Sequence, residues 1–159
     1  MMDIRFDNRV AIVTGAGTGL GRSHALGLAA RGAKVMVNDL GVTTDGQGSS
    51  SAAAEAVAQE IRDAGGEAMA HGCDVSDEAG VKDMVTQVMD AWGRIDILVN
   101  NAGANWGAPA EDYPPEGWMK VMNLNVNASF FLTQTVGKRC MIPRKTGKVI
   151  NIASIAGLS

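Results

Sequence analysis

Residues 14–21 read Thr14-Gly15-Ala16-Gly17-Thr18-Gly19-Leu20-Gly21 and follow the short apolar run of residues 10–13. A glycine-rich turn between a strand and a helix lets the backbone come close to a diphosphate, and the first N–H groups of the helix then hold the anion. This stretch predicts a nucleotide site, and a tight turn without a ligand is the alternative. The rest of the chain decides between them, because a nucleotide site also needs a sheet, an acidic ribose ligand and a place for chemistry.

Apolar runs and helical patterns alternate along the whole chain. Strands are predicted over residues 9–14, 34–38, 67–73, 95–99 and 148–152. The clearest amphipathic helix has its apolar side chains at Val81, Met84, Val85, Val88, Met89 and Trp92. Ser76 is expected to cap that helix. A Gly/Ser-rich loop over residues 41–51 precedes the helix before it, and the serines of this loop are expected to cap that helix. Two later helical stretches are expected at 118–123 and 127–141.

Strict alternation of strand and helix favours right-handed crossovers and a parallel sheet. The predicted fold is therefore a Rossmann-like, doubly wound α/β sheet with helices on both faces, strand order 3-2-1-4-5, and a single domain over residues 1–159. In such a sheet, ligands bind beyond the carboxyl ends of the strands, where the strand order reverses.

Composition and charge exclude several classes of function. The 159 residues, 46% of them hydrophobic and 19% charged, suffice for one core. A net charge of −3 with scattered Lys and Arg provides no basic field, so nucleic acid is not an expected partner. No apolar run approaches a signal-peptide core or a membrane span, which predicts a cytoplasmic protein with no membrane partner. Cys73 and Cys140 are far apart and only two histidines are present, so no metal site is predicted.

Several motifs resemble those of one known family. Residues 14–21 are similar to the TGxxxGxG signature of the classical short-chain dehydrogenases/reductases, residues 100–103 (Asn-Asn-Ala-Gly) to its NNAG motif, and residues 151–154 (Asn-Ile-Ala-Ser) to the segment that carries its catalytic serine. Asp74 stands where the family has an adenine-contacting aspartate, and Asn125 where it has a catalytic asparagine. The resemblance covers essentially the whole chain and implies hydride transfer between a carbinol carbon and a nicotinamide.

The resemblance also implies a set of cofactor contacts. They are Gly15, Gly17, Thr18, Gly19, Leu20, Gly21, Asp39, Leu40, Asp74, Val75, Asn101, Ala102 and Gly103. Asp39 follows the glycine turn at about the 20-residue distance typical of a carboxylate that binds the adenosine ribose, and its charge would repel a 2′-phosphate. Thr18 replaces the basic residue that NADP-preferring members commonly carry, so NAD is predicted over NADP. For Asp39 and Asp74, the alternative role is to cap a turn. Arg22 is either an exposed helix residue or a contact to a 2′-phosphate.

The catalytic machinery implied by the resemblance is only partly present. Ser154 would bind the substrate oxygen and Asn125 would position a lysine through water, but the sequence as given has no Tyr-x-x-x-Lys after Ser154. Such a tyrosine, with an ordinary pKa of about 10, needs a neighbouring cation to work near neutral pH. Tyr113, the sole tyrosine, precedes Pro114 and is followed four residues later by Gly117. Either the chain is part of a longer enzyme, which we favour, or it is a non-catalytic NAD-binding or scaffolding module; alone, it is expected to be inactive.

Substrate and assembly are predicted from weaker resemblances. Residues 37–41 resemble (3R)-hydroxyacyl-CoA dehydrogenase modules, and the loop around Trp106 resembles 3-oxoacyl reductases. A small-molecule secondary alcohol or ketone is therefore expected, with an acyl thioester as the first choice and steroids, sugars and polyols left open. Phe130 and Phe131 lie on a segment that the family uses for dimerisation, which favours a homodimer or homotetramer, with core packing as the alternative.

Overall fold

A computed structural model describes residues 4–41 and 51–154. Its strands are β1 (Val10–Thr14), β2 (Lys34–Asn38), β3 (Ala68–His71), β4 (Ile97–Asn100) and β5 (Lys148–Asn151). They form one parallel sheet in the order β3-β2-β1-β4-β5. The predicted fold class and strand order are confirmed. Most of the loop predicted over residues 41–51 lies outside the described residues.

Helices cover both faces of the sheet. They are α1 (Gly19–Ala29), α2 (Ala52–Asp63), α3 (Glu78–Trp92), α4 (Pro115–Met122), α5 (Ser129–Val136) and α6 (Ile142–Arg144). A 3₁₀ turn, Ala110–Asp112, precedes α4, and π-helical segments join α4 to α5 (Asn123–Ala128) and α5 to α6 (Gly137–Met141). No helix among residues 4–41 and 51–154 is both long and apolar enough to span a bilayer.

The core has two layers because successive strand residues face opposite sides of the sheet. Ile12, with its register partners Met36 and Leu98, faces the layer that contains α3 and α5. Ala11 and Val13 face the other layer, which contains α1 and α2. All five residues are fully buried, and each large aliphatic side chain among them contributes about 1.5–3 kcal/mol to folding. The near-continuous apolar strands are thus explained by burial on both faces.

The prediction that Ser76 caps α3 was wrong. The side chain of Asp77 caps α3 by accepting hydrogen bonds from Ala79 N (3.3 Å) and Gly80 N (3.0 Å). Ser76 instead donates from its backbone N and its Oγ to Asp74 Oδ1, at 2.8 and 2.7 Å, so it is engaged with the preceding turn. In α2, Ser51 occupies the N-cap position and makes no capping hydrogen bond with its side chain. The other serines of the loop predicted to cap this helix lie outside the described residues.

The predicted separation between residues 118–123 and 127–141 was also wrong. The π-helical turns keep the backbone helical from Pro115 to Arg144, with φ −64° and ψ −44° at Asn123 and φ −60° and ψ −39° at Ser129. Residues 118–136 contain neither Gly nor Pro, the residues that most readily interrupt a helix. The helix therefore continues and gains one wide turn around Asn125. Such turns occur frequently at functional sites.

A charged cluster fastens the amino end of the sheet. Asp96, 2% exposed, stands just before β4 and accepts hydrogen bonds from Val10 N (3.0 Å), Arg94 (2.7 and 2.8 Å) and Arg144 (3.0 Å), with Arg9 at 3.5 Å. Burial alone would raise the pKa of the Asp96 carboxyl, but the bonds from Arg94, Val10 and Arg144 hold that pKa well below its usual range. One carboxylate thus joins β1, β4 and the end of the helical run.

Apolar side chains remain exposed along β5 and the long helical run. All four residues of β5 are exposed, with Ile150 at 46%. Phe130 and Phe131 are 60% and 55% exposed and meet edge to face at 5.3 Å. Their rings are therefore not packed in the core that the described residues form.

Candidate active site

The glycine turn follows β1 at the carboxyl edge of the sheet. Gly15 and Gly19 have positive φ angles of 59° and 54°, which favour glycine. A Cβ at Gly21 would lie 2.1 Å from the Gly15 carbonyl oxygen, whereas a Cβ at Gly19 would meet nothing within 4 Å. The turn is therefore tightly packed on its inner side and open at the N-terminus of α1. Thr18, at the N-cap, makes no side-chain capping bond to the first N–H groups of α1.

The residues after β4 are fastened to this turn by Thr14 and Asn101. Thr14 Oγ1 accepts hydrogen bonds from Asn101 N and Ala102 N, both at 3.0 Å. Asn101 Nδ2 donates to the carbonyl oxygens of Thr14 and Gly15, also at 3.0 Å. Sequence reasoning missed Thr14 as a functional position, although its place between strand and glycines in the TGxxxGxG pattern was a usable signal. These bonds fix the spacing between the glycine turn and Gly103.

Asp39 also supports the glycine turn. Its Oδ2 accepts a 2.7 Å hydrogen bond from Gly17 N, and its Oδ1 accepts a 2.8 Å bond from Gly41 N. The turn-capping alternative is therefore part of what this carboxylate does. An ionised carboxylate offers about four acceptor positions, so ribose hydroxyls still have acceptors available. Leu40, the next residue, is half-buried beside it.

Asp74 and Val75 lie beyond the end of β3, next to the end of β2. One oxygen of Asp74 accepts from both donors of Ser76, so capping chemistry accounts for that oxygen. Val75 is 7% exposed and its side chain belongs to the core. Burial, with the charge of Asp74, raises the pKa of the Cys73 thiol to about 11. Cys73 is therefore a neutral neighbour at neutral pH rather than a nucleophile.

Asn125 and Ser154 line a common cleft of about 1130 Å³. Asn125 lies in the π-helical turn, where its Oδ1 accepts from Ala104 N (2.8 Å) and its Nδ2 donates to Ala104 O (2.9 Å). This pair of bonds holds the loop after β4 against the helix. Gly103 lies beside this amide: a Cβ there would be 3.4 Å from Asn125 Oδ1, an ordinary contact distance.

The same cleft brings together several of the sequence-predicted site residues. It is lined by Leu20, Asn101, Ala102, Gly103, Asn125 and Ser154, together with the apolar side chains of Val126, Phe130 and Ile152. Asp39, Leu40, Asp74 and Val75 do not line it and lie at the other side of the glycine turn, at the ends of β2 and β3. The predicted residues thus form two neighbouring groups, joined by residues 14–21.

Asn100 forms the floor of the cleft. It is 5% exposed, and its Nδ2 donates to Thr133 Oγ1 (3.0 Å) and Asn151 Oδ1 (2.8 Å). These bonds connect β4 to α5 and to β5, whose residues continue toward Ser154. Asn100 Oδ1 is buried without a hydrogen-bond partner among the described groups. The sequence analysis placed Asn100 in the NNAG motif and gave no indication of Thr133.

Comparison with known proteins identifies the family. The family model described as short chain dehydrogenase matches residues 9–159. The chain belongs to the short-chain dehydrogenase family. This places it among oxidoreductases, and both motif groups described above lie within the matched range.

Individual relatives are similar along nearly all of the chain. It is 44% identical over 155 residues to peroxisomal multifunctional enzyme type 2 from Drosophila melanogaster, an alignment that covers 98% of this chain and 25% of that protein. It is 41% identical over 150 residues to a 3-oxoacyl-(acyl-carrier-protein) reductase from Synechocystis sp., with 94% and 57% covered. The dehydrogenase chain therefore spans less than two thirds of the length of these relatives.

Solved structures with this fold hold nicotinamide cofactors. A 7 alpha-hydroxysteroid dehydrogenase complexed with NADH and 7-oxo glycochenodeoxycholic acid is similar with a TM-score of 0.87 and 34% identity, over 98% of this chain and 56% of that one. A gluconate 5-dehydrogenase from Burkholderia cenocepacia in complex with NADP and tartrate is similar with a TM-score of 0.83 and 36% identity, over 95% and 55%. A nicotinamide cofactor is thus supported for this dehydrogenase. The neighbours include both cofactors, so they do not distinguish NAD from NADP.

Proposed function

We propose that this chain is the cofactor-binding part of an NAD(H)-dependent oxidoreductase that interconverts a secondary alcohol and a ketone. The observation that carries the proposal is the cleft that Leu20 and Gly103 share with Asn125 and Ser154. Leu20 belongs to the glycine turn, and Asn125 and Ser154 are the positions that the family resemblance implies for catalysis. A dinucleotide bound along the glycine turn would therefore direct its nicotinamide toward a serine hydroxyl and an amide.

The residues present fit the phosphate and ribose groups of such a cofactor. The Cβ direction at Gly19 is open, and the N-terminus of α1 supplies N–H groups and a positive dipole end for a diphosphate. Asp39 supplies acceptors for ribose hydroxyls and places negative charge where a 2′-phosphate would lie, which supports NAD over NADP. Asp74 supplies an acceptor for the adenine amino group. When bound, the nicotinamide supplies the chemistry of hydride transfer.

Within the cleft, Ser154 is proposed to donate a hydrogen bond to the substrate oxygen. This bond orients the carbonyl or carbinol group and stabilises negative charge that develops on oxygen. Asn125, whose amide is occupied by the Ala104 backbone, is proposed to hold the wide helical turn in place. The tyrosine and lysine that the family resemblance implies for proton transfer are not assigned to any residue of these 159.

The substrate class and the assembly are proposed from similarity and exposure. An acyl thioester at the 3-hydroxy or 3-oxo level is supported by the likeness to an oxoacyl reductase and by the apolar wall of Val126, Phe130 and Ile152. A homo-oligomer is supported by the exposed rings of Phe130 and Phe131. A cytoplasmic location stays a prediction from composition, since the similar proteins include ones named as peroxisomal.

The cofactor proposal is tested by replacing the ribose carboxylate. Asp39→Ala is expected to weaken NADH binding by about tenfold and NADPH binding by less, because it removes acceptors for the ribose and also the repulsion of a 2′-phosphate. Binding of each cofactor is measured by fluorescence titration in wild-type protein and in the variant. Asp63→Ala, at the end of α2, serves as a charge-matched control. An unchanged ratio of the two affinities would contradict the role of Asp39.

Turnover distinguishes the enzyme from the non-catalytic alternative. NADH formation is followed with a panel of secondary alcohols that includes 3-hydroxyacyl thioesters, steroids and polyols. We expect the thioesters to give the highest kcat/KM, and Ser154→Ala to lower it by at least about a hundredfold. NADH binding without turnover on any substrate, in protein that includes a Tyr-x-x-x-Lys segment, would favour the scaffolding module instead.

A further inference from the structure

Asn38 is a buried amide that neither the motifs nor the cleft assign to the reaction. It is the last residue of β2 and is 1% exposed. Its Nδ2 donates to the carbonyl oxygens of His71 (3.2 Å) and Cys73 (3.0 Å), with Cys73 Sγ at 3.4 Å. An amide in this place joins two neighbouring strands just beyond the last regular pairing, Asn38 with His71.

The groups that Asn38 joins stand next to the two carboxylates of the adenosine side. Asp39 follows it directly in the chain, and Asp74 follows Cys73. The Asp39 N–H donates to the same His71 carbonyl at 3.1 Å, so Asp39 is tied to the last residue of β3. Cys73 lies beyond the end of β3. Beyond that end, the Cys73 carbonyl is held by Asn38, and the Cys73 N–H by His71 Nδ1 at 3.2 Å.

The packing around Cys73 passes its position on to Asp74. A Cβ at Gly80, in the first turn of α3, would lie 2.7 Å from Cys73 Cβ, so this turn of the chain has little room on that side. A shift of Cys73 therefore moves the start of the turn that carries Asp74 and Ser76. Without the Asn38 donor, the carbonyl of the half-buried Cys73 would lose this hydrogen bond, which favours such a shift.

We infer that Asn38 is a positioning residue that fixes the distance between Asp39 and Asp74 and thereby the fit of the adenosine half of the dinucleotide. This inference rests on the proposed NAD site and adds a residue that touches no ligand itself. Asn38 acts through the backbone of the β3 end, so its loss affects the adenosine half and leaves the cleft around Ser154 intact.

The test measures binding of ADP-ribose, which carries the adenosine half and lacks the nicotinamide, to wild type, Asn38→Leu and the milder Asn38→Ser. We expect at least about a tenfold weaker affinity in both variants. In protein that includes a Tyr-x-x-x-Lys segment, we expect the Asn38 variants to raise the KM for NAD and to keep kcat at saturating cofactor within about twofold of wild type. Val85→Ala, in the core of α3, is the stability-matched control: it is expected to lower the urea midpoint and to leave ADP-ribose binding unchanged.

The outcomes separate this inference from the function on which it rests. Wild-type protein that binds neither ADP-ribose nor NADH would overturn the proposed NAD site and the inference with it. Wild-type protein that binds ADP-ribose, together with Asn38 variants of equal affinity, would overturn the inference alone. A fall in kcat with an unchanged KM for NAD would also overturn it, because that result locates the effect in the cleft.

Discussion

The two ends of the sheet use carboxylates in different ways. At the amino end, Asp96 is 2% exposed and accepts hydrogen bonds from two arginines and a backbone N–H, with a third arginine at 3.5 Å. At the carboxyl end, Asp39 and Asp74 accept mainly from backbone N–H groups of neighbouring turns and face no arginine among the described contacts. The carboxylate oxygens of Asp96 are taken up by hydrogen bonds that join the strands, whereas the carboxylates of Asp39 and Asp74 still have acceptor positions available. The carboxylate at one edge of these strands holds the sheet together, and the two carboxylates at the opposite edge belong to the proposed ligand site.

The largest effect is expected at the glycine turn. Gly21→Ala would place a Cβ 2.1 Å from the Gly15 carbonyl and 2.5 Å from Asn101 Nδ2, so the backbone of the turn must move. We expect NADH affinity to fall by at least about a hundredfold and the free energy of unfolding by about 2–3 kcal/mol. Gly27→Ala, in the same helix and with Arg31 Nη1 the nearest atom at 3.8 Å, is the matched control and should keep full affinity. Equal affinities of the two variants would show that the carboxyl end is less tightly built than described.

The second effect belongs to the amino end. Asp96→Asn removes the negative charge that Arg94 and Arg144 share and weakens the acceptor for Val10 N. We expect the free energy of unfolding in urea to fall by about 2–3 kcal/mol, since a buried charged partner is lost, with NADH affinity within about twofold of wild type. A large loss of affinity at unchanged stability would contradict the division between the two ends.

The same carboxylate predicts how stability depends on pH. The pKa of Asp96 is lowered in the folded protein, so its contribution is complete above the unfolded value of about 3.9 and is lost as pH falls toward the native pKa. The stability difference between wild type and Asp96→Asn should therefore be constant from about pH 5 to 8 and shrink below about pH 4. Urea unfolding of both proteins across this range measures it. A difference that grows on acidification would contradict the sign of the shift.

The sequence was sufficient for the fold because its strongest signals are local. Alternating apolar runs and helical patterns define a βαβ order, and the handedness of crossovers then leaves few sheet topologies. The glycine turn was equally readable, since positive φ angles at Gly15 and Gly19 require glycine. The first and last residues of the strands were predicted less accurately than their order: β4 begins at Ile97 rather than at residue 95. The two residues before it, Ile95 and Asp96, are buried but precede the regular pairing.

The features that the sequence did not reveal depend on partners distant in the chain. Thr14 acts through Asn101, 87 positions away, and Asn38 acts through Cys73, 35 positions away. Both partners become neighbours only once the strand order is known. Ser76 was the predicted cap of α3, but its donors are engaged by Asp74, and Asp77 caps the helix.

The smallest effect is expected at Arg22, which tests whether the carboxyl end includes a cation for a 2′-phosphate. Arg22 Nη2 donates to Glu60 at 2.8 and 2.7 Å, and both side chains are nearly half exposed. An exposed ion pair contributes at most about 1 kcal/mol, so Arg22→Ala should change the free energy of unfolding by about 0.5 kcal/mol or less. The ratio of NADH to NADPH affinity should not change, because Glu60 already holds the guanidinium. Arg31→Ala, at the end of the same helix region, is the matched control. A selective loss of NADPH affinity in Arg22→Ala would show that the guanidinium leaves Glu60 for the phosphate, and the carboxyl end would then bind anions through a side-chain cation as well as through the N–H groups of α1.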